Sequence, residues 1–135
     1  MIRPDARLVA RIDLDRLAAN WDALNTLSGQ AECAAVIKAN AYGHGVREIA
    51  LTLVHAGCRM FFTAGYEEAS ELREILDPVL PDAIIAVFDG ITGHDREAVL
   101  NRAVIPTINS LHDLGLFARW AGEAGTPLPA MLQLD

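Results

Sequence analysis

Apolar residues along the chain follow two alternating patterns: short continuous runs, and longer stretches in which they recur every three or four residues. Continuous runs are typical of strands in a parallel sheet that is covered on both faces, and the longer spacing is that of amphipathic helices. The predicted strands are 33–37, Met60–Thr63, 84–88, 104–108 and 130–134. The chain is therefore predicted to be a run of βα units, which builds a parallel sheet with right-handed crossovers.

Helices are predicted before and between these strands, and their ends carry sequence signals. Asp13 is a candidate N-cap for the first helix, and Gly57 marks the end of the second. The third helix ends at Asp77, which precedes a proline, and a short helix covers 95–101. The segment 110–113 has the pattern of a capping box that opens the last helix. Four residues of that helix are predicted to face the core: Leu111, Leu114, Ala118 and Ala121.

Two α/β architectures are compatible with this alternation. One is a five-stranded, doubly wound, flavodoxin-like sheet that is complete in itself. The other is the first half of an eight-stranded (β/α)8 barrel of the TIM type, which needs about 250 residues. Spacing alone does not separate them. The order of strand pairing does, because a barrel runs 1-2-3-4-5 whereas the doubly wound sheet places strand 2 outside strand 1.

Composition narrows the class of protein. The chain has 135 residues, of which 52% are hydrophobic, enough for the core of one ordinary domain. Its formal net charge of −7 disfavours nucleic-acid binding, because an acidic surface repels phosphate. No apolar run approaches the roughly 18 residues of a membrane span, and no signal peptide is visible. We therefore expect a cytoplasmic protein that binds neither nucleic acid nor membrane.

Cysteine and histidine show no metal-binding pattern. Cys33 and Cys58 lie in apolar, strand-like surroundings without a Cys-x-x-Cys spacing, and the four histidines share no ligand spacing with one another. We therefore expect two buried free thiols in a reducing compartment, and no bound metal.

The candidate chemistry lies in residues 36–45, which read Val-Ile-Lys-Ala-Asn-Ala-Tyr-Gly-His-Gly. Lys38 ends the first strand of the core, and in both architectures ligands collect at the carboxyl ends of the strands. An amine in that place is suited to hold a carbonyl cofactor as a Schiff base. The two glycines permit a sharp turn into the next helix. Tyr42 is an ordinary loop aromatic on the simplest interpretation, and His44 fixes the loop by a hydrogen bond.

This ten-residue string closely resembles the pyridoxal-phosphate lysine motif of the alanine racemases, and the resemblance extends over essentially the whole chain. Residues 11–15 resemble the entry segment of that family, residues 67–73 its second barrel helix, and residues 132–135 a strand that leads into a Thr-Gly-Met-x-Arg-Leu-Gly loop. The resemblance implies that residues 1–135 are the N-terminal half of a pyridoxal-phosphate-binding barrel. We expect the C-terminal half of the barrel and a β-domain to be absent from this chain.

The resemblance also implies an activity and the residues that support it. Lys38 is implied to carry pyridoxal 5'-phosphate as a Schiff base and to act as one of two acid/base groups. Tyr42 is implied to reach the cofactor phosphate, and Val87 to touch the cofactor ring. Gln133 stands where the family often has a carbamylated lysine, and as a neutral amide it is expected to hydrogen-bond instead.

The implied reaction interconverts L-alanine and D-alanine, which supplies D-alanine for cell-wall peptidoglycan. In this family the second acid/base group is a tyrosine from the partner subunit of a homodimer, so we expect the 135 residues alone to be inactive as a racemase. A half-barrel is also expected to be only marginally stable in solution, because one edge strand and one apolar sheet face stay uncovered.

Two other functions stay open within the resemblance. Single-domain proteins of pyridoxal-phosphate homeostasis also hold the cofactor on a lysine that ends the first strand, but they have no second base. The Tyr-Gly-His-Gly continuation favours the racemases. Related racemases act on serine, lysine or arginine, and the residues that choose among these substrates lie mostly beyond Asp135.

Overall fold

The computed structural model describes residues 8–101 and 103–134, except for the side chain of His94. Five strands are present: β1 (Ala35–Val36), β2 (Met60–Thr63), β3 (Ile84–Val87), β4 (Ile105–Ile108) and β5 (Met131–Leu132). They form one sheet in the order β1-β2-β3-β4-β5, and every neighbouring pair is parallel. This order confirms the barrel-type arrangement and rules out the flavodoxin-like alternative, in which strand 2 lies outside strand 1.

Helices precede and connect the strands. They are α1 (Leu14–Leu27), the short segment α2 (Lys38–Tyr42), α3 (Val46–Ala56), α4 (Tyr66–Leu76), α5 (Arg96–Leu100) and α6 (Leu111–Ala124), with a 3-10 turn at Gly93–Asp95. The predicted N-cap of α1 is confirmed, because the Asp13 carboxylate accepts a hydrogen bond from the N–H of Arg16. Gly57 ends α3 with a φ of 109°, as the sequence predicts.

The pairing register divides the sheet into two faces. Alternate residues of a strand point to opposite faces, and residues in register on neighbouring strands point to the same face. Val36, Phe62 and Ala86 are in register across β1, β2 and β3; we call their side of the sheet the inner face. The opposite, helix-covered face carries another row in register: Ala35, Phe61 and Ile85.

The core lies between the helix-covered face and the helices. Its largest fully buried side chains come from both layers and include Phe61, Ile85 and Val87 from the sheet, and Leu72 and Leu76 from α4. Removing this apolar area from water is the main source of stability for such a layer. The inner face, in contrast, is open at Val36 and at Phe88, which are 42% and 36% exposed.

The prediction for the buried side of α6 was wrong. Leu111 is 88% exposed, Leu114 is 46% exposed, and Ala118 is exposed as well; of the four predicted residues only Ala121 is half-buried. The buried side is centred on Trp120, with Leu116 and Phe117 packed against the core beside it. Both stripes of α6 are apolar, so periodicity does not choose between them. The stripe with the larger side chains removes more area from water and is the one that packs inward.

The capping box of α6 is half formed. The hydroxyl of Ser110 accepts a hydrogen bond from the N–H of Asp113, as predicted. The Asp113 carboxylate accepts from the N–H of Asn109, not from that of Ser110. This hydrogen bond joins the first turn of the helix to the residue that directly follows β4.

None of the described helices is long and apolar enough to cross a membrane. Within residues 8–101 and 103–134, no three side chains of the metal-binding types come together. Both cysteines are free thiols, but only Cys58 is buried, while Cys33 is half-buried. The expectation of two buried thiols is therefore confirmed for Cys58 alone.

Candidate active site

Lys38 stands at the carboxyl end of β1. It is the only lysine among the 135 residues. Its Nζ atom lies 5.8 Å from the centre of the Phe88 ring, which is within the range of a cation–π contact. This end of the sheet therefore presents one primary amine, half-buried, beside an aromatic surface.

Phe88 is supported by a second ring. Phe62 stacks on it, with the ring centroids 4.9 Å apart and an angle of 15° between the ring planes. Phe62 is in register with Ala86, and Phe88 lies two residues beyond Ala86, so both rings belong to the inner face. Asn109 Nδ2 donates a 2.6 Å hydrogen bond to the carbonyl of Phe88, which ties the residue to the end of β4. We call Phe62 and Phe88 the aromatic pair.

The residues that follow Lys38 form a left-handed turn, which is not predicted by the sequence pattern. Residues 39–42 have φ values between 52° and 55°, a conformation that costs roughly 1–2 kcal/mol per non-glycine residue. The two glycines of the motif follow with φ values of 81° and 98°, as the predicted sharp turn requires. The Nδ1 of His44 donates to the carbonyl of Ala41 over 2.8 Å, which is the predicted loop-fixing hydrogen bond.

Tyr42 ends the left-handed turn and is 57% exposed. It borders a groove of about 560 Å³ beside β1, which Val36 and His44 also line. Lys38 and Tyr42 therefore lie at the two ends of one turn, and the phenol is open to a ligand.

Val87 does not join this group of residues. It is in register with Thr63 and Pro106 on the helix-covered face, and it has no exposed surface. Val87 therefore presents no surface at this end of the sheet, whereas its neighbour Phe88 lies beside the amine of Lys38. A contact of either residue with the cofactor ring stays a prediction. Every residue of 84–88 is apolar, and a continuous apolar run hides which residues face which side. Phe88 lies two residues beyond Ala86, as Lys38 lies two residues beyond Val36, and Val36 and Ala86 are in register through Phe62. This equivalent position is the sequence signal that could have indicated Phe88.

Gln133 lies just beyond β5 and is exposed. Its backbone N–H donates to the carbonyl of Ile108 over 3.1 Å, so it extends the pairing with β4. Its side-chain amide lies 3.5 Å from the carbonyl of the next residue, Leu134. A role in place of a carbamylated lysine stays a prediction.

These features define a class of protein: a parallel β/α half-barrel with a lysine at the carboxyl end of its first strand and an aromatic surface beside that lysine. The chain belongs to the family described as alanine racemase, N-terminal domain, whose model matches residues 12–135.

Known proteins show how far the similarity extends. The chain is 40% identical over 124 residues to the alanine racemase of Methylobacterium sp. (strain 4-46), a match that covers 92% of this chain and 33% of that protein. The alanine racemase from Bartonella henselae, solved with covalently bound pyridoxal phosphate, matches with a TM-score of 0.81 at 37% identity, over 92% of this chain and 34% of that one. The alanine racemase from Streptomyces coelicolor A3(2) matches with a TM-score of 0.78 at 35% identity, over 92% and 32%. The chain spans about a third of the length of these relatives.

Proposed function

We propose that this chain is the lysine-bearing part of a pyridoxal-phosphate-dependent alanine racemase, and that Lys38 holds the cofactor. The observation that carries the proposal is the single amine at the carboxyl end of β1, beside the aromatic pair. Membership of the family and the covalently bound pyridoxal phosphate of the Bartonella henselae relative support it.

The residues present fit this cofactor. An aldehyde needs a primary amine, which Lys38 alone supplies among the side chains of the chain. A pyridine ring needs an apolar surface, and the ring of Phe88 offers one next to the amine. A phosphate needs hydrogen-bond donors, and the exposed hydroxyl of Tyr42 is one. We therefore propose Lys38, Tyr42 and Phe88 as cofactor-binding residues, with Phe88 in the place first expected of Val87.

Proton transfer is the chemical task of Lys38 in this proposal. When bound, pyridoxal phosphate supplies a conjugated ring that delocalises the charge left after removal of a Cα proton. The neutral Nζ of Lys38 accepts the Cα proton from one face of alanine, or donates a proton to that face in the reverse direction. Racemisation also needs a second acid/base group at the opposite face. We propose that this group comes from the partner subunit of a cytoplasmic homodimer, and that the product D-alanine serves peptidoglycan.

Reductive trapping tests the assignment of Lys38. The purified protein is incubated with pyridoxal phosphate, reduced with borohydride, digested and mapped by mass spectrometry. We expect one modified side chain among these residues, in the peptide that contains 36–45, and no modification of that peptide in a Lys38→Arg variant. Modification confined to the α-amino group would contradict the assignment.

Turnover is measured in the whole protein that carries this sequence. We expect interconversion of the alanine enantiomers, and a loss of about 10²–10⁴-fold or more in Lys38→Arg, the scale of a lost general acid/base. Faster turnover of serine, lysine or arginine would identify a racemase of another amino acid. Trapping at Lys38 without turnover of any amino acid would favour a protein of cofactor homeostasis.

A further inference from the structure

We propose that Glu68 is a positioning residue for Lys38, because its carboxylate ties the left-handed turn to the carboxyl end of β2. This inference rests on the proposed function of Lys38 as the cofactor-binding lysine. Glu68 lies in the first turn of α4 and is half-buried. A carboxylate is favoured at that end of a helix by the helix dipole.

The two oxygens of Glu68 serve two different strand ends. Oε1 accepts a 2.7 Å hydrogen bond from the N–H of Ala39, the residue directly after Lys38. Oε2 accepts a 2.8 Å hydrogen bond from the N–H of Ala64, the residue directly after β2. Hydrogen bonds to an ionised acceptor are stronger than neutral ones. One side chain therefore fixes the spacing between the ends of β1 and β2 at the site.

Comparison with α6 separates the local bond from the long-range one. Asp113, at the same position of α6, also accepts the N–H of the residue four positions earlier, Asn109. The bond from Glu68 to Ala64 is of this local kind and closes the start of a helix. The bond to Ala39 spans 29 positions of sequence and reaches the lysine segment. It is this second bond that gives Glu68 a role at the site.

The left-handed turn needs such a restraint. Left-handed residues other than glycine persist only where the surroundings hold them in place. At the far end of the turn, Asn40 Oδ1 accepts the N–H of Val46 over 2.7 Å and joins the turn to α3. At the near end, Glu68 holds the amide that leads out of Lys38. Release of that amide lets the turn relax and moves the amine of Lys38 away from Phe88.

The test compares Glu68→Ala and Glu68→Gln with Glu67→Gln. Glu67 is the exposed neighbour on the same turn of α4, so its variant makes the same charge change without breaking the bond to Ala39. Three quantities are measured below the unfolding temperature of every variant: the dissociation constant for pyridoxal phosphate, the borohydride-trapped yield at Lys38, and hydrogen exchange of the Ala39 amide.

We expect Glu68→Ala to raise the dissociation constant at least tenfold and to speed exchange at Ala39 at least tenfold. Glu68→Gln retains one acceptor oxygen and is expected to lie between Glu68→Ala and the unchanged protein. Glu67→Gln is expected to stay within twofold of the unchanged protein in the dissociation constant and in the exchange rate at Ala39. A structural role alone lowers the unfolding temperature and leaves the dissociation constant of the folded protein unchanged.

Two results would overturn the inference. One is a Glu68→Ala protein that unfolds earlier but binds pyridoxal phosphate with unchanged affinity. The other result matters if Glu68→Ala fails to fold. It is a Glu68→Gln protein whose affinity for pyridoxal phosphate and whose exchange rate at Ala39 are both unchanged. Failure of the proposed function gives a different result, because the unsubstituted protein then shows no trapping at Lys38 while exchange at Ala39 still responds to Glu68.

Discussion

Val87 and Phe88 are neighbours at the end of β3 that face opposite sides of the sheet. Val87 fills the core and has no exposed surface, whereas Phe88 contacts the amine of Lys38 and stacks on Phe62. Adjacent residues of a strand alternate in this way because the backbone is pleated. At the scale of single residues, we therefore expect stability and the proposed cofactor binding to be separable at two successive positions.

We expect Phe88→Leu to weaken binding of pyridoxal phosphate about three- to tenfold, because leucine keeps the apolar bulk but loses an aromatic contact worth about 0.5–1.5 kcal/mol. Titration of the cofactor absorbance measures this change. Val87→Ala is the control: it lowers the free energy of unfolding in urea by about 2 kcal/mol through lost burial and a cavity, and leaves the affinity unchanged. An affinity loss in Val87→Ala alone would restore Val87 as the ring contact.

At the scale of elements, the left-handed turn reverses an ordinary preference. In a right-handed helix alanine is the most favourable residue and glycine one of the least. In residues 39–42 the φ values near 52°–55° bring each Cβ close to the backbone carbonyl, so glycine is favoured there. Whether glycine or alanine gives the more stable protein at these positions therefore indicates the handedness of the turn.

We expect Ala39→Gly to keep or raise the free energy of unfolding, by up to about 1 kcal/mol, and Ala39→Val to lower it by about 1 kcal/mol or more. The matched control is Ala19→Gly, at an exposed position of α1, which is expected to lower it by about 1 kcal/mol. Thermal unfolding compares all three. A loss of similar size for glycine at both positions would contradict the left-handed conformation.

A second element, α4, fastens the amino ends of β3 and β4 through Arg73. Its guanidinium donates hydrogen bonds to the carbonyls of Pro81, Ala83 and Ala103, over 3.2, 2.9 and 2.7 Å. The side chain is only 19% exposed, so water competes weakly for these bonds. The carbonyls lie just before the two strands, at the end of the sheet opposite to Lys38.

We expect Arg73→Met to lower the free energy of unfolding by about 2–4 kcal/mol, because it leaves three carbonyls without a charged donor. Each such hydrogen bond is worth about 1.5–3 kcal/mol, and the contributions of the three bonds are not additive. Arg96→Met is the control. Arg96 and Glu123 form a 2.7 Å ion pair with both side chains about half exposed, and exposed pairs contribute at most about 1 kcal/mol. Equal effects of the two variants in urea unfolding would show that water replaces the bonds of Arg73.

At the scale of the whole molecule, the sequence predicts the repeat of βα units and the place of every strand. It does not by itself choose the barrel order over the doubly wound one; the resemblance at residues 36–45 does. Two features escape local patterns for a common reason. The left-handed turn is held by Glu68, 29 positions away, and the buried side of α6 is selected by the packing of Trp120 against the rest of the core. Both depend on contacts that are distant in sequence.

Two buried acidic groups make the stability of the whole molecule depend on alkaline pH. Burial raises the pKa of the Cys58 thiol from its ordinary value of 9.0 to about 11. Burial also raises the pKa of the Tyr66 hydroxyl, with the carboxylates of Asp95 and Asp113 adding to the effect. The folded protein therefore keeps protons that the unfolded chain releases. The stabilisation is complete below about pH 9 and is lost as pH rises through the folded-state pKa values.

We expect the free energy of unfolding to fall by about 2–3 kcal/mol between pH 9 and pH 11 on account of Cys58, since each pKa unit corresponds to about 1.4 kcal/mol. Urea unfolding across this range measures the slope. Cys58→Ala is less stable at neutral pH, but its free energy of unfolding does not show the decrease that Cys58 causes between pH 9 and pH 11. In Tyr66→Phe, the decrease in the free energy of unfolding that begins near pH 9 remains. The further decrease that begins near the ordinary tyrosine pKa of about 10 becomes smaller. If Cys58→Ala and the unsubstituted protein have the same slope between pH 9 and pH 10, the buried thiol is not the group that titrates, and the alkaline loss must come from elsewhere in the fold.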